Sequence, residues 1–260
     1  MQLMEMVILA IVQGIAEFLP ISSSGHLVII GALMGETSDS AAVEIILHTG
    51  TLASILVIYW QRILKLLTSD RRVLPLLIIG TLPAAVAGLS LKVYAEPLLK
   101  SPLLAGCMLL VTAALLWTLR RLPHGETEYP QMRWWQALAI GCFQGIAILP
   151  GISRSGATIF AGRLLGLRGA DAVTFSFLLA IPAIAGASVL AINDLREDGV
   201  SGDDLMLLMV GAVIAFVVGI FALRWLIRWS RKEQLHWFAF WCAPAGLLVI
   251  ALHYAGLLSD

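Results

Sequence analysis

Three ionisable residues interrupt an otherwise oily chain. Glu17 and His26 lie in "GIAEFLPISSSGHL", Gly14 to Leu27, and Arg154 lies in "GIAILPGISRSGAT", Gly145 to Thr158. Gln13 and Glu17 are four residues apart and share one face of a helix. Pro20 breaks that helix, and Ser23 or Ser24 is placed to cap a short return helix. In the second stretch Pro150 and Gly151 make the break, and Ser153 or Ser155 is the corresponding cap. Each return helix then presents unpaired backbone N–H groups and a positive dipole end, a ready cradle for phosphate. Arg154, between two serines, adds a planar fork of donors suited to phosphate oxygens.

Phosphoryl transfer is the chemistry these groups suit, because its catalysis is mostly positioning and charge neutralisation. Arg154 and the helix N-termini would stabilise charge on the equatorial oxygens. Ser23 or His26 would attack in line, or His26 would act as base or acid for Ser23. Glu17 would hold a hard divalent cation across the phosphates, or orient His26. Ser22, Ser24, Gly25, Ser153, Ser155, Gly156 and Thr158 are the candidate substrate-binding residues, with capping accounting for some of the serines. Spacing leaves these roles open. A buried Glu17–Arg154 ion pair that merely locks the two stretches together would leave His26 and the serine cluster unexplained. Glu44 and His48 share a helix face and read as a solvated helix end in preference to the mouth of the site.

The elements that hold these residues follow from composition. The chain has 260 residues, 59% hydrophobic and 13% charged, with a mean hydropathy of +0.90. Soluble domains carry about 25% charged residues, so this is a single integral membrane domain, 1–260. Six runs approach the roughly 20 residues that cross a bilayer: 44–61, 73–91, 102–119, 173–192, 205–225 and 237–258. Segments 27–34 and 157–167 are too short to cross, and their partners 3–19 and 134–149 run directly into the polar stretches. Each pair reads as a re-entrant helical hairpin, whose irregular backbone must be buried in protein or line a wet cavity. The fold expected is therefore an all-α polytopic membrane protein, with six transmembrane helices and two re-entrant hairpins. Cys107, Cys142 and Cys242 lie far apart in apolar segments and read as packing residues. The first residues lack a basic region and cleavage site and read as part of the mature fold.

Charge sets the orientation. In this layout loops 60–72, 119–133, 163–172 and 224–236 share one side and carry 13 of the 17 basic residues. Lys92, Lys100 and Arg196 lie on the other side, and Arg154 lies inside. The positive-inside rule makes the basic side cytoplasmic. Both termini and the acidic loop 193–204 then face outward.

The two polar stretches are also copies. With an offset of 131, Gln13–Gly25 matches Gln144–Gly156 at Gln, Gly, Ile, Ala, Ile, Ser, Ser and Gly, eight of 13 positions. Gly31/Gly162, Leu33/Leu164 and Gly35/Gly166 extend the match. One hairpin enters from outside and the other from the cytoplasm, so the halves, approximately 1–119 and 134–258, are inverted-topology repeats. Such repeats place a site near the midplane at their interface, where the two polar stretches should meet.

At these residues the sequence resembles a known family. "QGIAEFLPISSSGH" and "LPGISRSGAT" are similar to the two signature motifs of the bacterial undecaprenyl pyrophosphate phosphatases of the bacitracin-resistance type, and the likeness extends to length, segment order and the repeat. The resemblance implies release of the terminal phosphate of undecaprenyl pyrophosphate, giving the monophosphate carrier lipid for cell-wall synthesis. It implies dependence on a divalent cation, Mg or Ca, and a site open to the periplasmic face of the bacterial inner membrane. The family's motif residues fall on Gln13, Glu17, Ser23, His26, Ser153, Arg154 and Thr158. The family's first acidic position admits Glu or Gln, and here Gln13 offers a metal a carbonyl oxygen without charge. The partners implied are a polyprenyl pyrophosphate lipid and the surrounding membrane lipids, with no nucleic acid.

The rival reading is a secondary transporter or lipid flippase, which is often built on the same inverted-repeat scaffold. Faces rich in small residues, such as Ala84–Gly88 and Ala183–Ala187, permit close helix packing within one subunit or across a homodimer.

Overall fold

The computed structural model describes residues 3–34, 41–198 and 202–258. Gly35, part of the acidic loop 193–204 and the terminal residues of both ends lie outside the described residues. The regular elements are α1 (Leu3–Ala16), α2 (Ser23–Met34), α3 (Ala41–Leu67), α4 (Val73–Tyr94), α5 (Glu96–Leu99) and α6 (Pro102–Leu119), followed by α7 (Trp134–Ile146), α8 (Arg154–Leu164), α9 (Gly169–Asp198), α10 (Gly202–Arg231) and α11 (Ala239–Tyr254). Six of them, α3, α4, α6, α9, α10 and α11, are long and apolar enough to span a membrane. They fall on the six apolar runs, and no strand occurs among the described residues. Polar backbone groups have no water to bond inside a bilayer, so a chain this apolar satisfies them within helices.

The two halves exchange partners. Helix α1 packs on α10 of the second half, and α7 packs on α4 of the first, while α6 lies along α11 and α3 along α9. Small residues allow these close approaches: a Cβ added at Gly141 of α7 would lie 2.3 Å from the Gly80 carbonyl oxygen of α4. Between the paired helices sits a dry core that includes Phe18, Ile55, Leu109, Phe175 and Phe177. On the outside, Ile78, Leu82 and Val86 of α4 and Met209, Val213 and Phe221 of α10 present apolar faces. Lipid tails cover such faces, which a water-soluble protein rarely exposes.

Three of the connections predicted to share one side do meet. Thr127 bonds across the α8–α9 turn, its N–H to the Gly166 carbonyl at 3.1 Å and its carbonyl from Arg168 N–H at 3.0 Å. Arg163 donates to Glu233 at 2.7 Å and to the Pro123 carbonyl at 3.1 Å, tying the α6–α7 loop to the α10–α11 turn.

Candidate active site

Helix α1 stops at Ala16 and the chain turns through 17–21 before α2 begins. Glu17 N–H still bonds the Gln13 carbonyl, so Glu17 hangs from the last turn of α1 beside Gln13. Gln13 Nε2 donates to Glu17 Oε2 at 3.0 Å. The cap of α2 is Ser22, where the sequence pointed to Ser23 or Ser24. Its Oγ accepts from Gly25 N–H at 3.2 Å. Ser22 has φ of 70°, a conformation that costs a non-glycine residue on the order of 1 kcal/mol or more. The reason it holds is visible: the same Oγ also accepts from Gly151 N–H at 3.1 Å, so Ser22 fastens the two turns together.

Capping one residue earlier than expected leaves the Ser23 hydroxyl spare, and it donates to Glu17 Oε2 at 2.8 Å. In the second turn Ser153 is the cap, its Oγ accepting from Gly156 N–H at 3.1 Å. With the offset of 131, Ser22 matches Ser153 and Ser23 matches Arg154. The first residues of the two return helices therefore meet on one carboxylate. Arg154 Nη2 donates to Glu17 Oε1 at 2.5 Å. Arg154 Nη1 is buried with no partner among the described residues.

The other predicted residues divide by exposure. Ser22, Ser153, Ser155 and Thr158 are buried, as are Gly25 and Gly156. Ser155 Oγ lies 3.2 Å from Ser153 Oγ and 3.5 Å from the Leu19 carbonyl. Thr158 bonds the Arg154 carbonyl at 2.8 Å and lies 2.6 Å from Ser176 Oγ of α9. Their hydroxyls are engaged within the protein and shape the turns. Ser23, Ser24, His26 and Arg154 remain partly accessible.

His26 is held apart from the carboxylate. Its Nδ1 lies 2.8 Å from the Ser22 carbonyl, and Trp241 of α11 donates its indole N–H to Nε2 at 3.0 Å. Since an indole only donates and a carbonyl only accepts, the proton is on Nδ1 and both ring nitrogens are engaged. Glu17 orients Ser23 and Arg154; His26 is oriented by Trp241.

Besides Trp241, three contributors were not assigned to the site from sequence. Thr112 of α6 donates to the Gly151 carbonyl at 2.8 Å and accepts from Ser153 N–H at 3.0 Å, clamping the turn that ends in Arg154. At the position equivalent to Gly151, the Pro20 carbonyl lies 3.7 Å from Cys242 Sγ of α11. His48 is not a solvated helix end: its Nε2 lies 3.5 Å from Glu17 Oε2. Glu44, one turn earlier, is exposed as expected. Cys107, Cys142 and Cys242 are all free.

A divalent cation would find a sparse protein shell here. Among the described residues no three His, Cys, Asp or Glu side chains gather as a cage. Glu17 is nonetheless flanked by Gln13 Oε1, a buried acceptor with no partner among the described residues. That set fits an ion of the Mg type, which takes one or two protein ligands and completes its shell with phosphates and water.

Comparison with known proteins identifies the family. Residues 6–248 match the family described as Bacitracin resistance protein BacA. The chain is 62% identical over 253 residues to an undecaprenyl-diphosphatase of Rhodopirellula baltica, covering 97% of this chain and 98% of that protein. It is 38% identical to the undecaprenyl-diphosphatase of Desulfatibacillum aliphaticivorans, covering 98% and 100% of the two chains. A Methanosphaera stadtmanae protein of the same name is 36% identical over 97% of this chain and 98% of its own. With both motifs built into one carboxylate-centred site and a match along nearly the whole chain, this protein belongs to the bacitracin resistance protein BacA family.

Proposed function

We propose that this protein is a membrane phosphatase that converts undecaprenyl diphosphate to undecaprenyl phosphate and inorganic phosphate. The observation that carries the chemistry is Glu17, which holds Ser23 on one oxygen and Arg154 on the other. Beside it Arg154 Nη1 is buried without a partner among the described residues. A buried charged donor left open beside an activated hydroxyl calls for an anionic ligand.

Ser23 is the nucleophile in this reading. Glu17 accepts the hydroxyl proton as Ser23 Oγ bonds to the terminal phosphorus and the bridging P–O bond breaks, and the proton passes from Glu17 to the departing lipid monophosphate. Arg154 and the N–H groups at the starts of α2 and α8 receive the charge on the equatorial oxygens. Water, giving its proton to the freed Glu17, then attacks the phosphorus, the P–Oγ bond breaks to free phosphate, and Glu17 returns the proton to Ser23. Glu17 and Gln13 would hold a divalent cation, Mg or Ca, whose charge would neutralise the diphosphate. His26, oriented by Trp241, stands at the edge of the site with Nε2 as a proton acceptor once the indole bond is given up.

The two helix–turn–helix units are read as re-entrant hairpins that enter from opposite faces and meet at depth. The basic loops are placed on the cytoplasmic side of the bacterial inner membrane and the opening on the periplasmic side, by the positive-inside rule. Reciprocal packing of α1 on α10 and α7 on α4 supports an inverted repeat. Neither the site nor the relatives favour the transporter alternative. The test is product analysis: purified protein in detergent, given undecaprenyl diphosphate, yields the lipid monophosphate and one phosphate per turnover, and a chelator stops it. Unchanged substrate under every divalent metal would reject the enzyme reading.

A further inference from the structure

Among the described residues, His48 is the one polar neighbour of Glu17 that the reaction above does not use. Its Nδ1 lies 2.8 Å from the Glu44 carbonyl one turn earlier on α3. A carbonyl only accepts, so the ring proton is on Nδ1 and a neutral imidazole presents a bare lone pair on Nε2. That lone pair faces Glu17 Oε2, another acceptor, at 3.5 Å. Gln13 Oε1 is a third acceptor, buried without a partner among the described residues, on a side chain whose amide N–H already touches Glu17.

Glu17 already accepts from Ser23, Gln13 and Arg154, but His48 Nε2 and the buried Gln13 Oε1 are acceptors beside it with no donor among the described residues, and open acceptors next to a carboxylate are what a cation requires. We infer that His48 is a protein ligand of the divalent cation, forming with Glu17 and Gln13 a half-shell that phosphates complete. This rests on the cation reading proposed above. Two features of the geometry fit. Adjacent donors about 2.1 Å from one octahedral ion lie roughly 3.0 Å apart, so the observed 3.5 Å needs only a small inward shift of the two side chains. A ring N–H given to a backbone carbonyl is also the usual way a metal-bound histidine is oriented. An imidazole in the shell shifts preference away from Ca toward metals such as Mn, Co and Zn that accept nitrogen.

Mn(II) alone, added to the purified full-length protein, provides the test through electron spin-echo modulation and a binding titration. The wild type is expected to show nitrogen-14 coupling from a coordinated imidazole. His48→Ala should lose that coupling and bind Mn(II) about 10-fold or more weakly, and His48→Gln should lose the coupling with a smaller loss of affinity. Glu17-dependent Mn(II) binding without nitrogen coupling in the wild type would overturn the role of His48 and leave the cation reading standing. Coupling that survives His48→Gln would assign it to another histidine and overturn the inference. Absence of any Mn(II) binding, with or without inorganic pyrophosphate, would overturn both.

Discussion

In the proposed mechanism two of the partners of Glu17, Ser23 and Arg154, carry the reaction, which depends on its keeping both. Ser23 donates to one oxygen, and the other accepts from Arg154. Ser23→Ala is expected to lower kcat by about 100-fold or more, because it removes the attacking atom and its proton-transfer step together. His26→Asn should cost less than Ser23→Ala, since His26 bonds Trp241 and the Ser22 carbonyl and not the carboxylate. Steady-state phosphate release on matched preparations checks the order, and a larger loss for His26→Asn would reverse the assignment of nucleophile. Thr112 acts without touching substrate. Thr112→Val leaves the Gly151 carbonyl and the Ser153 N–H unpaired, at about 1–3 kcal/mol for each buried group. It should lower kcat by loosening Arg154, and Thr112→Ser should restore it.

At the scale of elements, the two turns meet because glycine lets them. A Cβ at Gly25 would lie 2.8 Å from Gly151 N and Cα, and Gly151 itself has φ of 94°. Gly151→Ala should therefore misplace the second turn and reduce both expression and activity; a normal yield of active enzyme would show that the turns tolerate separation. Much of this was legible in the sequence because the hairpin motifs are local. Gln13 and Glu17 are one helical turn apart, Pro20 and Pro150 mark the breaks, and the repeat pairs Ser22 with Ser153. Cap position was misread by one residue, since three consecutive serines offer equivalent hydroxyls and only Gly151, 129 residues away, selects Ser22. Thr112, Trp241 and His48 reach the site from α6, α11 and α3, and no local pattern reveals which face of a uniformly apolar helix points inward.

For the whole molecule, the six spans and their apolar exterior follow from hydropathy, while the polar layer of loops depends on contacts between distant segments. Glu233 illustrates that layer. Burial raises its pKa, but hydrogen bonds and charge from Arg163 and His124 outweigh burial and hold it below 4.5. A depressed folded value means the stabilisation is present above the ordinary carboxylate range and is lost as pH falls through the folded value. The melting-temperature gap between wild type and Glu233→Gln should therefore be widest near neutral pH and close below pH 4.5; a gap independent of pH would deny the linkage. The central claim is that the two hairpins build one phosphatase site around Glu17. Its most direct test is the initial rate of phosphate release from undecaprenyl diphosphate by Glu17→Gln, Ser23→Ala and Arg154→Lys, which change the carboxylate and each of the two groups it holds. The account predicts that all three fall by about 100-fold or more with folding intact. A folded variant of any of the three that turns over at the wild-type rate would contradict it.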